Sequence, residues 1–172
     1  MENVKTYENY PLGIVFLSNL VSIGIYLLGF LIILHTGWIF AILYLAYILA
    51  FEIRLVRNHC THCYYWGKTC AFGRGGVSSL LFKKSDPSKF CEKAMTWKDL
   101  IPDLLISLFP LVTGIVLLIL DFNIVLLLAL LVLLFLTTSG NGLVRGSFAC
   151  KFCKQRELGC PAMALFNRGK QD

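Results

Sequence analysis

The chain alternates long apolar runs with short polar segments. The apolar runs cover residues 12–34, 38–56, 104–120 and 122–136. A helix needs about 20 apolar residues to cross a hydrocarbon core of about 30 Å, and the first two runs meet this length. The last two are slightly short, but neighbouring residues extend them, because hydroxyl side chains such as that of Thr137 can bond back to helix carbonyls. The pattern predicts four transmembrane helices.

The composition agrees with lipid as the solvent of these helices. Hydrophobic residues make up 57% of the 172 residues and charged residues only 15%, whereas a soluble domain has about 25% charged residues. The mean hydropathy is +0.71. We therefore expect an all-α integral membrane protein that has the lipid bilayer as a partner.

The distribution of Lys and Arg predicts the orientation of the helices. All 16 of these residues lie near the chain ends, at the inner end of the second run or in the central segment, and the connectors 35–37 and 121–123 contain none. Because the side rich in Lys and Arg stays in the cytoplasm, both termini and the central segment are expected there. This topology explains the net charge of +6. Attraction to anionic lipid headgroups also favours it, by about 1 kcal/mol for each basic residue near the membrane surface. No base-stacking or groove-reading motif indicates a nucleic-acid partner.

Six of the seven cysteines form two groups with the same C-x2-C-x6-C spacing, displaced by 90 residues. The groups are Cys60, Cys63 and Cys70, and Cys150, Cys153 and Cys160. The same displacement lays the first apolar run on the third and the second on the fourth. We infer two helical hairpins in a parallel repeat, each followed by a cytoplasmic cysteine element. The predicted organisation is a first repeat at 1–72, a basic and interfacial linker at 73–100 and a second repeat at 101–172.

Paired cysteines in the reducing cytoplasm indicate metal binding or redox chemistry rather than structural disulfides. Two residues between the cysteines let the chain turn so that both sulfurs reach one ion. One arrangement shares the two C-x2-C pairs around a single ion. Another gives each half its own three-cysteine site with a fourth ligand, which is His59 or His62 in the first half and Cys91 in the second. The two histidines fit an ordinary interfacial role equally well.

Zinc ranks first among the metals because the sequence 150–154, Cys-Lys-Phe-Cys-Lys, is typical of a zinc knuckle. An iron–sulfur cluster ranks second, since a cluster cysteine is often followed by proline, as in Cys160-Pro161, but only three cysteines occur in each half. Free thiol chemistry ranks third. The corresponding functions are a scaffold or binding subunit of a membrane complex, an electron-transfer subunit that exchanges electrons with a membrane quinone or a partner, and a thiol–disulfide redox protein. The protein partner is expected to be a complex subunit or a second copy of the chain.

The apolar runs contain few ionisable residues. Glu52 and Arg54 lie near the inner end of the second run, where they are expected to reach the headgroups, and Asp103 begins the third run. No central carboxylate or histidine indicates an ion path, and no H-E-x-x-H motif or triad indicates a protease or transferase, so whether the chain is an enzyme stays open. Asn19 is expected to bond between helices.

Two segments outside the apolar runs carry further expectations. Tyr64, Tyr65 and Trp66 follow Cys63 directly, and aromatic residues of this kind gather at the headgroup level. They are expected to anchor the first cysteine element to the membrane. The glycine-rich stretch 73–76 is expected to be a flexible turn that leads to a short interfacial segment.

Overall fold

The computed structural model describes residues 6–86, 90, 97–158 and 160, with the backbone alone at 97–100. Four helices of this all-helical chain are long and apolar enough to cross a membrane, which supports an integral membrane protein. The helices are α1 (Leu12–Leu34), α2 (Trp38–Asn58), α3 (Arg74–Leu81), α4 (Trp97–Leu120) and α5 (Ile124–Cys150).

Short connectors fix the two helical hairpins. Between α1 and α2, Gly37 has a φ of +138°, a backbone conformation that residues with a side chain rarely adopt. Between α4 and α5, the Asn123 side chain accepts hydrogen bonds from the first free N–H groups of α5, including that of Val125 at 2.8 Å. These two devices end one helix and begin the next within a few residues.

The two hairpins pack against each other through α1, which contacts α2, α4 and α5. Glycines allow the closest approaches. A Cβ atom on Gly29 would stand 2.3 Å from the Tyr44 hydroxyl, and one on Gly114 would stand 2.6 Å from Leu130. Small residues at helix interfaces are the usual means by which membrane helices gain packing energy.

Pro110 is one of two prolines in α4, and the helix hydrogen bond that it removes is replaced by a bond from α2. Pro110 is fully buried and has no N–H to donate to the carbonyl of Ile106, four residues earlier. The hydroxyl of Tyr44 on α2 donates to that carbonyl at 2.8 Å. Since lipid offers no water to satisfy a free carbonyl, this contact lets a proline lie within a membrane-spanning helix.

Polar side chains inside the helices mostly bond to their own helix. Asn19 donates to the carbonyl of Val15 at 2.8 Å, and Ser18 donates to that of Ile14 at 2.8 Å. Among the described residues, Asn19 thus bonds within its own helix and not, as predicted, to a neighbouring one. A carbonyl one turn earlier lies within reach of any short polar side chain on a helix, so the local bond needs no partner helix.

The fourth spanning helix is longer than its apolar run. It continues past Leu136 to Cys150 and includes two π-helical segments, Leu136–Gly140 and Val144–Cys150. The hydroxyls of Thr137 and Thr138 bond back to carbonyls of the preceding turn. A π segment widens the helix locally and often occurs at functional positions. Here the two segments carry the helix directly into the second cysteine element.

The glycine-rich stretch is the start of helix α3 rather than a flexible turn. Gly73 precedes the helix with a φ of +70°. Gly75 packs so closely on the first cysteine element that a Cβ atom would stand 2.1 Å from the carbonyl oxygen of Tyr65 and 2.4 Å from that of Lys68. Glycine at position 75 is thus required for α3 to lie against this element.

Replacing Tyr44 by Phe is expected to destabilise the protein by about 1–3 kcal/mol, because the Ile106 carbonyl loses its donor in an apolar setting. Pro110→Ala restores an N–H for the same carbonyl. Tyr44→Phe should therefore cost less in the Pro110→Ala background than in the natural chain. Unfolding in detergent of the four proteins of this double-mutant cycle measures the difference, and strictly additive costs would contradict the pairing.

Candidate functional site

The first cysteine element is a tight turn at the end of α2. A 3-10 turn covers Cys60–His62. The N–H of Cys63 donates to the carbonyl of Cys60 at 3.3 Å, and the N–H of Trp66 donates to that of Cys63 at 3.1 Å. These bonds bend the chain back over the first two cysteines.

The second cysteine element has the same turn. The N–H of Cys153 donates to the carbonyl of Cys150 at 3.3 Å, and that of Arg156 donates to the carbonyl of Cys153 at 3.1 Å. A 3-10 turn follows at Lys154–Arg156. Equal cysteine spacing therefore goes with equal local backbone bonding at the C-x2-C pairs of the two elements.

The segment 6–11, here called the N-terminal strap, joins the two elements. The N–H of Tyr7 donates to the carbonyl of Phe152 at 3.0 Å, and the N–H of Tyr10 donates to that of Thr69 at 2.9 Å. Tyr7 also forms an isolated parallel β-bridge with Cys153. Tyr7 thus joins the strap to the second cysteine element, and Tyr10 joins it to the first.

Tyr65 lies at the centre of this assembly and is 2% exposed. Its hydroxyl donates to the carbonyl of Tyr7 at 2.6 Å and accepts from the N–H of Lys154 at 2.9 Å. The neighbouring N–H of Tyr64 donates to Oε1 of Gln155, which is itself buried, at 2.8 Å. Tyr65 therefore connects the strap and both cysteine elements, and the prediction that it anchors the element in the headgroups is wrong.

Aromatic rings fill the space between the elements. The rings of Tyr7 and Phe152 have centroids 5.3 Å apart, and those of Tyr10 and Tyr65 have centroids 5.5 Å apart. Each such ring pair stabilises the structure by about 0.5–1.5 kcal/mol, in addition to the effect of the apolar area that it buries. We call this assembly of the strap, the two cysteine elements and their rings the cysteine cap.

The cap brings sulfurs of the two elements close to each other. Cys63 and Cys70 of the first element and Cys153 of the second pack against the same buried cluster, which includes Tyr10 and Tyr65. Among the described residues, no three Cys, His, Asp or Glu side chains stand close enough together to hold a metal ion. The fold thus gathers the predicted ligands in one region without closing them into a coordination shell.

The remaining predicted ligands differ in their surroundings. Cys150 is exposed, whereas the other five matched cysteines are partly buried. His59 and His62 are both partly buried beside the first pair. Nδ1 of His62 lies 2.9 Å from the Thr61 hydroxyl. Cys91 lies outside the described residues.

Burial and backbone N–H groups act in opposite directions on the thiols. Burial raises the pKa of the Cys63 thiol to about 12, against the opposing effect of the Tyr65 N–H. The pKa of Cys153 is raised for the same reason, against the N–H groups of Gln155 and Arg156. The N–H of Gly75 donates to the sulfur of Cys70 at 3.4 Å. Without a metal, Cys63 is a neutral thiol at neutral pH and not the thiolate that nucleophilic exchange requires.

A network of charged side chains next to the cap was not predicted from the sequence. Glu52 is not directed to the headgroups, because it accepts hydrogen bonds from the Tyr26 hydroxyl on α1 and from Arg74 at the start of α3. Nε of Arg74 lies 2.8 Å from Oε2 of Glu52. Asp103 pairs with Arg145 at 3.6 Å. The sequence shows charged residues at the ends of the apolar runs. It does not show which residues on other helices pair with them.

Comparison with known proteins gives no family for this chain. No protein-family model matches it, and no curated protein or solved structure is significantly similar to it.

Tyr65→Phe is expected to loosen the cap, because its hydroxyl is the shared partner of the strap and the second element. The loss of two bonds in a buried position should cost about 1–3 kcal/mol and should speed amide exchange at Lys154. Hydrogen exchange followed by mass spectrometry measures this. Tyr64→Phe is the matched control, since within the part of the chain that the structure describes its hydroxyl accepts from Lys68 alone. Equal exchange in both variants would show that Tyr65 does not connect the elements.

Proposed function

We propose that this protein is a membrane subunit whose cysteine cap binds a metal ion on the cytoplasmic side, with zinc favoured, and thereby clamps the two helical hairpins together. Its role in this proposal is that of a scaffold or binding subunit of a membrane complex. We also infer that the two halves of the chain are repeats, each with a helical hairpin followed by a cysteine element.

One observation carries this proposal, namely two cysteine turns with the same backbone bonds held side by side by Tyr65. A C-x2-C turn directs its two sulfurs toward one point, and two such turns provide the four thiolates of a tetrahedral zinc site. Tyr65 bonds to Lys154 of the second element, so the two turns belong to one assembly. A lone turn would offer only half of a site.

Backbone donors beside the sulfurs further support a metal. The N–H groups of Tyr65, Gln155 and Gly75 are near the sulfurs of Cys63, Cys153 and Cys70, respectively. Second-shell hydrogen bonds to ligand atoms are a regular feature of metal sites, where they orient the ligands and tune the metal. The same donors contribute less to a neutral thiol, whose sulfur is a weak acceptor.

Metal binding in this proposal also completes the folding of the cap. Since the described side chains form no closed set of ligands, the ion has to draw the sulfurs of the two elements together. The free energy of zinc binding is then available to stabilise the cap. The metal would act as a clamp between the half of the chain that ends at α2 and the half that ends at α5.

Elemental analysis of the detergent-purified protein with a visible absorption spectrum tests this proposal. We expect about one or two equivalents of zinc and no visible band. Iron with acid-labile sulfide and a brown colour would replace zinc by an iron–sulfur cluster and make electron transfer the function. Titratable thiols in a protein prepared under anaerobic conditions without either metal would contradict the metal proposal.

Serine variants locate the site. Cys63→Ser and Cys153→Ser should each lower the zinc content by at least about half and lower the thermal stability, because each removes a thiolate. Thr69→Ser, next to Cys70, is the matched control and should retain zinc. Cys91→Ser separates the shared site from the three-cysteine site, since only the latter loses metal with Cys91. Full zinc in both Cys63→Ser and Cys153→Ser would contradict the shared clamp.

A further inference from the structure

A cavity of about 320 Å³ lies between the spanning helices, close to the cysteine cap. Helices α1, α2, α4 and α5 all contribute to its wall, together with Arg74 at the start of α3. Volumes of this size are at the small end of those that hold small molecules. The cavity therefore has room for a headgroup-sized group but not for a whole lipid.

The wall of the cavity has one apolar and one charged part. Ile25, Phe51 and Leu104 belong to the apolar part. Arg74, Arg145 and Asp103 belong to the charged part. Each arginine has a carboxylate partner, Glu52 for Arg74 and Asp103 for Arg145, so the charged part is close to neutral and an anion that binds here has to replace one of these partners.

The two arginines are held in place by other side chains. Arg74 is bound through Nε and Nη2 to Glu52, and Arg145 donates from Nε to Asn141 at 2.9 Å. Both guanidinium groups also lie over the ring of Phe72, with centroid distances of 5.3 Å and 5.7 Å. These contacts do not use Nη1 of either arginine. A positioned guanidinium loses little conformational freedom when it binds an acceptor.

The ion pair of Arg145 is loose enough to be replaced. Its Nη2 atom lies 3.6 Å from Oδ2 of Asp103, and both side chains are more than 40% exposed, at 46% and 41%. This distance exceeds that of a hydrogen bond. A stronger acceptor that enters the cavity could therefore take the place of Asp103 as the partner of Arg145.

We propose that this cavity binds a phosphate group that replaces Asp103 as the partner of Arg145 and also contacts Nη1 of Arg74, with the apolar wall in contact with the chain that carries the phosphate. Arginine is the side chain best matched to phosphate, because its planar fork presents parallel N–H donors. A mixed wall of two arginines and apolar side chains fits a phosphate on an apolar carrier, such as the headgroup of an anionic lipid. The site does not depend on a metal in the cap.

Binding of phosphatidic acid, diacylglycerol and inorganic phosphate to delipidated protein in detergent tests this site. Phosphatidic acid and diacylglycerol differ only in the phosphate group. We expect phosphatidic acid, but not diacylglycerol, to raise the unfolding temperature. Inorganic phosphate alone identifies the source: an equal effect indicates a soluble phosphate, and a much weaker effect indicates a lipid headgroup. Equal effects of the two lipids would overturn the proposal.

Arg145→Gln should weaken the binding of phosphatidic acid by at least about tenfold, as expected for the loss of a charge-assisted hydrogen bond. Arg57→Gln is the matched control, because Arg57 is a basic residue in the last turn of α2 that does not line the cavity. It should change the affinity by less than about twofold. Equal losses in the two variants would show that diffuse surface charge binds the lipid, and would overturn the site.

Ser107→Leu provides a second variant that keeps every charge. Ser107 lines the cavity on α4, and its hydroxyl donates to the carbonyl of Leu104 in its own helix. Leucine favours the helix and fills the cavity, so the variant should fold and should lose binding of phosphatidic acid to a similar extent. Unchanged affinity in Ser107→Leu would show that the phosphate lies outside the cavity.

Discussion

Apolar helices surrounded by lipid impose one constraint on the rest of this structure, namely that each polar group must find its partner within the protein. The contact from Tyr44 to the Ile106 carbonyl is the clearest case, since it compensates for the N–H that Pro110 lacks. Gly29 permits this contact because a Cβ atom there would collide with the Tyr44 hydroxyl. One hydrogen bond thus ties together the packing of three helices.

Burial imposes a similar requirement on the backbone of the cysteine cap. Its backbone leaves the helices and needs donors and acceptors from other segments, and tyrosine hydroxyls provide them. Tyr65 serves the strap and the second element with one hydroxyl group. Tyr10 reaches the carbonyl of Ala149 in the same way. Tyrosine suits this position because its ring fills apolar space while its hydroxyl group pairs with the backbone.

The two proposed sites differ in chemistry and would lie next to each other at this end of the bundle. The proposed metal site consists of sulfur atoms on turns, and the proposed phosphate site consists of guanidinium groups on helices. Phe72 lies between them, packed on the cap and under both Arg74 and Arg145.

The sequence by itself determined the four spanning helices, since their length and apolarity set them, and the equal spacing of the cysteines. It could not determine the pairing of Glu52 with Arg74, the role of Tyr65 or the cavity around Arg145. Periodicity and spacing report local structure, whereas these features join residues far apart in the chain, such as Tyr65 and Lys154. Only tertiary packing decides which of the many polar side chains at the helix ends meet, because each has several partners of similar chemistry within reach.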